Sequence, residues 1–259
     1  MLDSRGIATV DRLQLGPTDI VRRALVAGEV DLYPEYTGNG AFFHHRESDP
    51  AWRDAAAGYE RVKALDRAAY GLVWLTPAPA DNSWVVTVRR DVAAAHALSG
   101  MGDFAGWVRG GGAVKLAASA EFVESPAALP AFERAYDFTL RSSQLLVIAG
   151  GNTAATMRAA AESISGVNAA MAYGTDGALA ALDLVALADP KGAQIVYAPA
   201  PVVRATVLAE HPEIADALDP VFRSLDGRTL RRLNARISVE GEIPAEVARD
   251  YLRSKSFLR

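Results

Sequence analysis

The side chains able to do chemistry in this sequence fall into two sets, titrating groups and aromatic rings. The four histidines are His44, His45, His96 and His211. His44 and His45 are adjacent, so a helix or strand points them apart, and neither has a metal-ligand partner four residues on. Asp31, Glu35, Glu121 and Glu124 could pair as acid and base. Any chain of this size carries such carboxylates, however, and solvated or capping roles account for them. No nucleophile elbow, P-loop or G-x-G-x-x-G is present. The chain has no cysteine, which removes disulfides and thiol catalysis and suits an oxidising compartment without requiring one. An enzyme would need a nucleophile, base or metal that no motif here supplies, so the expectation is no catalysis.

The aromatic rings are placed with more regularity. Tyr36, Trp84, Tyr173 and Tyr197 each fall at the end or start of an expected strand, beside a turn containing Gly, Pro or Asn. A single such ring is more often core than site. Four at turns point instead to rings gathered around a cation that cannot donate hydrogen bonds, because ring faces attract positive charge by ~0.5–2 kcal/mol each. Quaternary ammonium groups are of this kind. Their usual carboxylate or hydroxyl could be met by Asn152-Thr153, whose place at a helix start offers free amides and a positive dipole end; plain N-capping explains that pair equally well.

These residues need elements to hold them. At 259 residues the chain has room for one large domain or two ordinary ones, and no apolar run is long enough to span a bilayer. A net charge of −4 argues against nucleic acid and anionic membrane as partners. No export signal is visible at the start, so the chain is either cytosolic or begins after a removed segment. Residues 10–15 alternate apolar and polar, as a half-buried strand does. Gly16-Pro17-Thr18 then opens a helix ended by Gly28, and 31–33 reads as a strand end at which Pro34 denies the ladder an N–H. Strand, helix, strand favours a parallel pair. The Thr37-Gly38-Asn39-Gly40 that follows can supply positive φ. One helix is expected over 51–70, strands over 72–75, 83–90, 114–118, 145–148, 169–173 and 194–197, and helices through most of 202–255, with Asp226 capping one of them. Two proline-rich crossings, 76–82 and 198–201, predict two lobes: 1–87 plus 195–259 as a discontinuous first lobe, and 88–194 inserted as the second. A cleft between lobes is a favoured ligand site.

Read as blocks, the same residues resemble a known family. Asp31-Leu32-Tyr33-Pro34-Glu35-Tyr36-Thr37-Gly38, Asp81-Asn82-Ser83-Trp84, Ala118-Ser119-Ala120-Glu121-Phe122-Val123, Gly150-Gly151-Asn152-Thr153, Ala172-Tyr173-Gly174-Thr175-Asp176-Gly177 and Tyr197-Ala198-Pro199-Ala200-Pro201 keep the order found in glycine betaine/choline/osmoprotectant substrate-binding proteins of ABC transporters, nearest to the OsmF/YehZ type. The resemblance implies an α/β chain with the type II periplasmic-binding-protein fold, two α/β lobes joined by a two-strand hinge with ligand enclosed between them. It implies an aromatic cage of Tyr36, Trp84, Tyr173 and Tyr197, with Asn39 where relatives often carry a threonine that meets the ligand carboxylate. Asn82, Asn152, Thr153 and Thr175 complete the expected ligand-binding set. The implied partners are a small-molecule quaternary amine and an ABC transporter permease, with no nucleic acid, metal or cofactor, for a periplasmic or otherwise extracytoplasmic monomer. A receptor for another small polar solute such as an amino acid, or a non-transport sensor domain, remains open.

Two departures qualify the resemblance. Betaine-binding relatives hold the carboxylate with an arginine just after the Glu-Phe pair, where this sequence reads Val123-Glu124-Ser125. A bidentate charged contact contributes roughly 1.5–3 kcal/mol, so weaker betaine binding or a different ligand is expected. Relatives also begin with a strand and helix carrying a Lys- or Gln-containing loop. The sequence as it stands implies a first lobe without that strand and helix.

Overall fold

A computed structural model describes residues 1–149 and 152–258. Gly150 and Gly151, which open one of the motif blocks, lie outside the described residues. Among the described residues eight strands form two sheets: β1 (Leu32–Tyr36), β2 (Leu72–Trp74), β3 (Trp84–Arg89), β4 (Leu116–Ser119), β5 (Leu145–Ile148), β6 (Ala169–Tyr173), β7 (Leu184–Ala186) and β8 (Pro199–Arg204). The chain divides into two compact units, one of Met1–Asp81, Val196–Thr229 and Ile243–Arg259, the other of Asn82–Ile195 and Leu230–Glu242. The sequence reading gave all of 195–259 to the first lobe; 230–242 clusters instead with the second unit.

The first unit is built on a three-stranded sheet ordered β1-β8-β2, antiparallel throughout. The expected parallel pair is absent because residues 10–15 are not a strand. Val10 and Leu13 are 80% and 79% exposed, and the backbone turns there, with Asp11 Oδ1 accepting from the Leu13 amide and Gln14 at positive φ. The strand expected over 194–197 likewise starts later, at Pro199, and runs through two prolines at the centre of the sheet. On the β2 side their carbonyls accept, Pro201 O from the Leu75 amide and Pro199 O from the Ala78 amide, and the register toward β1 explains why Pro34 is tolerated. Thr37 N–H donates to Ala198 O, so alternate pairs toward β1 are bonded and Pro34 faces Pro201 in a non-bonded pair. Pro34 therefore directs its missing N–H away from β8, at the sheet edge, where no ladder asks for it.

Neither glycine after β1 sits at positive φ, and Gly40 acts by size. Gly38 has φ −63° and heads a short helix, Asn39–Phe43, instead of the expected positive-φ turn. A Cβ on Gly40 would come within 2.5 Å of Val62 Cγ2 and 3.1 Å of the Trp52 ring. The helix expected over 51–70 is in fact a 3-10 turn, Pro50–Arg53, and a helix, Ala55–Tyr70, separated at Asp54, whose carboxylate caps the second through the Ala57 amide. Gly28 (φ 81°) closes Thr18–Ala27 as expected, and Gly71 (φ 63°) closes Ala55–Tyr70 in the same way. The Asp226 carboxylate accepts from the Thr229 amide at the start of helix Gly227–Ser238, the expected cap.

A buried ion pair ties this unit together. Asp66, fully buried, accepts two bonds from the Arg22 guanidinium, one from Trp74 Nε1 at 2.6 Å, and lies 2.8 Å from His44 Nε2. Arg22 sits over the rings of Phe43 and Tyr70 at 4.5 and 5.3 Å. Burial pushes the Asp66 carboxyl up, but the Arg22, Trp74 and His44 bonds outweigh it and hold it below the usual carboxylate range.

The second unit has a five-stranded mixed sheet ordered β5-β4-β6-β3-β7, with β4 parallel to β5 and β6, and β3 antiparallel to β6 and β7. Helices cover both faces, so its strands are nearly continuous runs of small apolar residues. Leu116, Ala118, Ala169 and Met171 face the core holding Phe104, Phe122 and Phe132, while Ala117, Ala170 and Ala172 face Met157 and Ala160 of helix Thr153–Ala161. Among the described residues no helix is long and apolar enough to cross a membrane.

The ion pair yields the first prediction. Arg22→Ala leaves the Asp66 carboxylate buried without its cation and is expected to cost about 3–5 kcal/mol in a urea titration at pH 7. Because the folded Asp66 pKa is depressed, its contribution is full above the unfolded value near ~3.9 and is lost as pH falls through the folded value. A loss below about 1 kcal/mol would show that solvent reaches Asp66.

Candidate functional site

In the first unit Tyr36 ends β1 and Tyr197 lies two residues before β8, both half-buried. The backbone beside them is knitted by Thr37. Its hydroxyl donates to Val196 O (3.2 Å) and accepts from the Ala198 amide (3.1 Å), and its own amide donates to Ala198 O. The Tyr197 amide donates to Asp81 Oδ1 at 2.9 Å. Adjoining them is a carboxylate that the sequence reading left as a bland acid. Glu35, 2% exposed, accepts from Tyr33 OH (2.7 Å), the Tyr36 amide (2.5 Å) and Asn39 Nδ2 (2.7 Å). Burial dominates and holds its pKa above the usual carboxylate range, against the pull of those three donors and of the Arg22 charge. Burial, with Glu35 beside it, also pushes the Tyr33 phenol up. Asn39, expected to meet a ligand, thus has its amide engaged by Glu35.

In the second unit Trp84 and Tyr173 are cross-strand partners at the ends of β3 and β6. Their rings stack, with centroids 4.1 Å apart and planes 22° from parallel, and Phe122 meets Trp84 edge-on at 5.5 Å. Cross-strand register alone brings them together. Rings in contact leave no space for a trimethylammonium between them, so the pair offers outer faces and edges.

The turn after Tyr173 is held from several sides. The Gly174 amide donates to Ser83 O (3.0 Å), and Asp176 Oδ2 accepts from the Tyr173 amide (2.8 Å). The Thr175 hydroxyl donates to Asn82 Oδ1. Burial raises the Asp176 carboxyl, offset by the Tyr173 amide and the Thr153 side chain. Asn152 Oδ1 accepts from the Ala154 amide at 2.9 Å, as the cap of helix Thr153–Ala161. Asn82, Thr175 and Thr153 therefore make bonds at the turn after Tyr173, while Asn152 caps its own helix.

The sequence places a helix after Asp226 but does not show that it clamps this turn. From Gly227–Ser238, Arg231 Nη1 donates to Gly174 O at 2.7 Å and Asn234 Nδ2 to Thr175 O at 2.9 Å. A Cβ on Gly177 would sit 2.2 Å from Ala235 N, so the contact is backbone against backbone. The signal was present in the alternation of Arg231 and Asn234 with Leu230, Leu233 and Ile237, but that pattern does not name its partner.

Other candidates lie elsewhere. Glu121 and Glu124 are exposed on or at the end of helix Ala120–Glu124, and His44 bonds Asp66 within the first unit's core. Among the described residues no group of three or more His, Cys, Asp or Glu could hold a metal ion. Two surface hollows of the first unit, about 480 Å³ beside Arg12 and Ile20 and about 370 Å³ beside Tyr59 and Asp219, contain none of the aromatic site residues.

Residues 1–254 match the family model of the substrate-binding domain of ABC-type glycine betaine transport systems, OpuAC. The chain belongs to that family. It is 56% identical to the glycine betaine-binding protein YehZ of Escherichia coli strain K12, over all of this chain and 85% of that protein. It is 31% identical to a glycine-betaine-binding protein of Pseudomonas aeruginosa PAO1, over 99% of this chain and 82% of that one. The solved structure of apo YehZ superposes with a TM-score of 0.89 at 57% identity, covering 99% of this chain and 91% of that one. A solved glycine betaine/carnitine/choline transporter protein, 19% identical with a TM-score of 0.80 over 94% and 85% of the two chains, shares the fold. The mixed α/β architecture is thus that of periplasmic substrate-binding proteins. OpuAC-family members are extracytoplasmic substrate-binding transport proteins rather than enzymes.

Gly177→Ala tests the clamp on the Tyr173 turn. The added methyl must displace the helix or the turn, so the variant is expected to unfold at lower urea concentration by about 1–3 kcal/mol. An unchanged midpoint would mean that the close approach does not constrain the turn.

Proposed function

We propose that this chain is the solute receptor of an ABC importer for a quaternary ammonium compatible solute, glycine betaine or choline, and that it acts by binding alone. The observation that carries the reading is the Trp84–Tyr173 stack, borne on neighbouring strands with its turn fixed by Asn82, Thr175, Asp176 and Arg231. Family membership supports it, as do the names of the two relatives, both glycine betaine-binding. Tyr36 and Tyr197 on the first unit and Trp84 and Tyr173 on the second serve the cation. Asn39, Asn82, Asn152, Thr153 and Thr175 position those rings and meet the solute's polar end. The receptor works as a monomer outside the cytoplasm and hands its solute to a membrane permease. Holding a cation on ring faces suits this task, because a trimethylammonium group has no N–H to donate and loses little hydration on entering.

The polar end is the weaker half of the recognition. Helix Ala120–Glu124 presents an exposed Glu124 where an arginine would grip a carboxylate, so betaine binds without a guanidinium clamp from that position.

Isothermal titration with glycine betaine and choline tests the function. The wild type is expected to bind at least one of them, and Trp84→Ala to weaken that binding by roughly tenfold or more. Neither heat nor tryptophan quenching with any quaternary amine would end this reading. Tight binding of a neutral or amino-acid solute, indifferent to Trp84→Ala, would replace it with another small-solute receptor.

A further inference from the structure

The first unit contains a buried polar cluster in which two carboxylates share one guanidinium. Asp66 and Glu35 contribute two carboxylates, and Arg22 is the guanidinium that acts on both. Arg22 is engaged bidentately by Asp66, while Glu35 is met by a phenol, a backbone amide and a carboxamide, all neutral. None of the ion pairs among the described residues includes Glu35. Leaving an ionised carboxylate 2% exposed without a cation is costly unless something compensates it. Its three neutral donors compensate in part. They also define where it acts: two of them, the Tyr36 amide and the Asn39 carboxamide, belong to residues of the proposed binding wall.

We infer that Glu35 determines specificity: its buried, unneutralised carboxylate fixes the Tyr36–Asn39 segment and makes that wall prefer a cation over a neutral solute of the same shape. This inference rests on the proposed function and adds a residue to it. Glu35 Oε1 lies 2.5 Å from the Tyr36 amide, so a cation on the Tyr36 ring is within about one Debye length of the carboxylate. The low-dielectric surroundings carry that attraction further than bulk water would. Glu35 does not touch the solute; it acts through the ring and the asparagine that it holds.

The test uses choline and 3,3-dimethyl-1-butanol, in which carbon replaces the quaternary nitrogen without changing the shape. Affinities of both are measured by calorimetry, direct or by competition, for the wild type and Glu35→Gln. Glutamine keeps the size and an acceptor oxygen but removes the charge. The expected result is about a tenfold loss for choline with the neutral isostere changed by less than about twofold, collapsing the preference between them. Equal losses for both ligands would make Glu35 a purely structural residue and overturn the inference, as would no change for either. The unliganded variants give a second reading. Glu35→Gln removes an uncompensated buried charge, so it is expected to unfold at the same or higher urea concentration than the wild type. Failure to fold, or marked destabilisation, would show that the charge serves stability and would also overturn the inference. A wild type that binds no quaternary amine would strike the proposed function itself, an outcome separate from any difference between wild type and Glu35→Gln.

Discussion

The constraint on which the first unit depends is a carboxylate with no access to water. Asp66 draws donors from three separate pieces of chain: Arg22 in helix Thr18–Ala27, His44 just after helix Asn39–Phe43, and Trp74 in β2. Each would be a half-buried polar group without the others, and together they bring the flanking helices and the sheet edge to one point. Arg22 also interacts with the Tyr33 phenol, whose hydroxyl donates to Glu35. The structural ion pair and the Glu35–Asn39 segment are thus joined through one tyrosine in β1. Order in the Asp66 cluster becomes order in the Tyr36 segment.

The second unit solves the same problem with packing rather than charge. Its sheet is covered on both faces by apolar side chains, and the stack of Trp84 on Tyr173 follows directly from register between β3 and β6. What needs extra support is the turn beyond Tyr173, and it donates hydrogen bonds to Ser83 and Asn82 and accepts them from Arg231 and Asn234. Polar residues that a sequence reader would assign to the ligand are occupied here in holding the rings still. Preorganisation of this kind reduces the ordering cost of binding.

Much of this was legible in the sequence where the cause is local. Gly28 and Asp226 close or open helices because of their own φ or side chain, and each does so as read. Positions of Tyr36, Trp84 and Tyr173 at strand ends were equally plain, whereas Tyr197 lies two residues before β8 and not at the end of a strand over 194–197. The errors arise where the deciding neighbour is far away. Alternation in 10–15 describes a face but not whether any strand edge is there to receive it, and Val10 and Leu13 face solvent. Pro199 and Pro201 read as part of a crossing yet lie in β8, because sequence does not say which side of a strand its ladder needs. Gly40 is required by Val62 and Trp52, and Gly177 by Ala235, contacts that no local rule predicts. For the same reason the sequence could name Tyr173 but not the helix that clamps its turn, nor that Trp84 would lie flat against it.

Recognition in this account lies in ring faces and a buried negative charge, with little grip on a carboxylate. It follows that methyl groups on nitrogen, rather than the amino acid end, should set affinity. The most direct measurement is a calorimetric series of glycine, N-methylglycine, N,N-dimethylglycine and glycine betaine against the wild-type protein. The account predicts affinity rising with each methyl and greatest for the trimethylated solute. Glycine binding as tightly as glycine betaine, or a flat series, would contradict it.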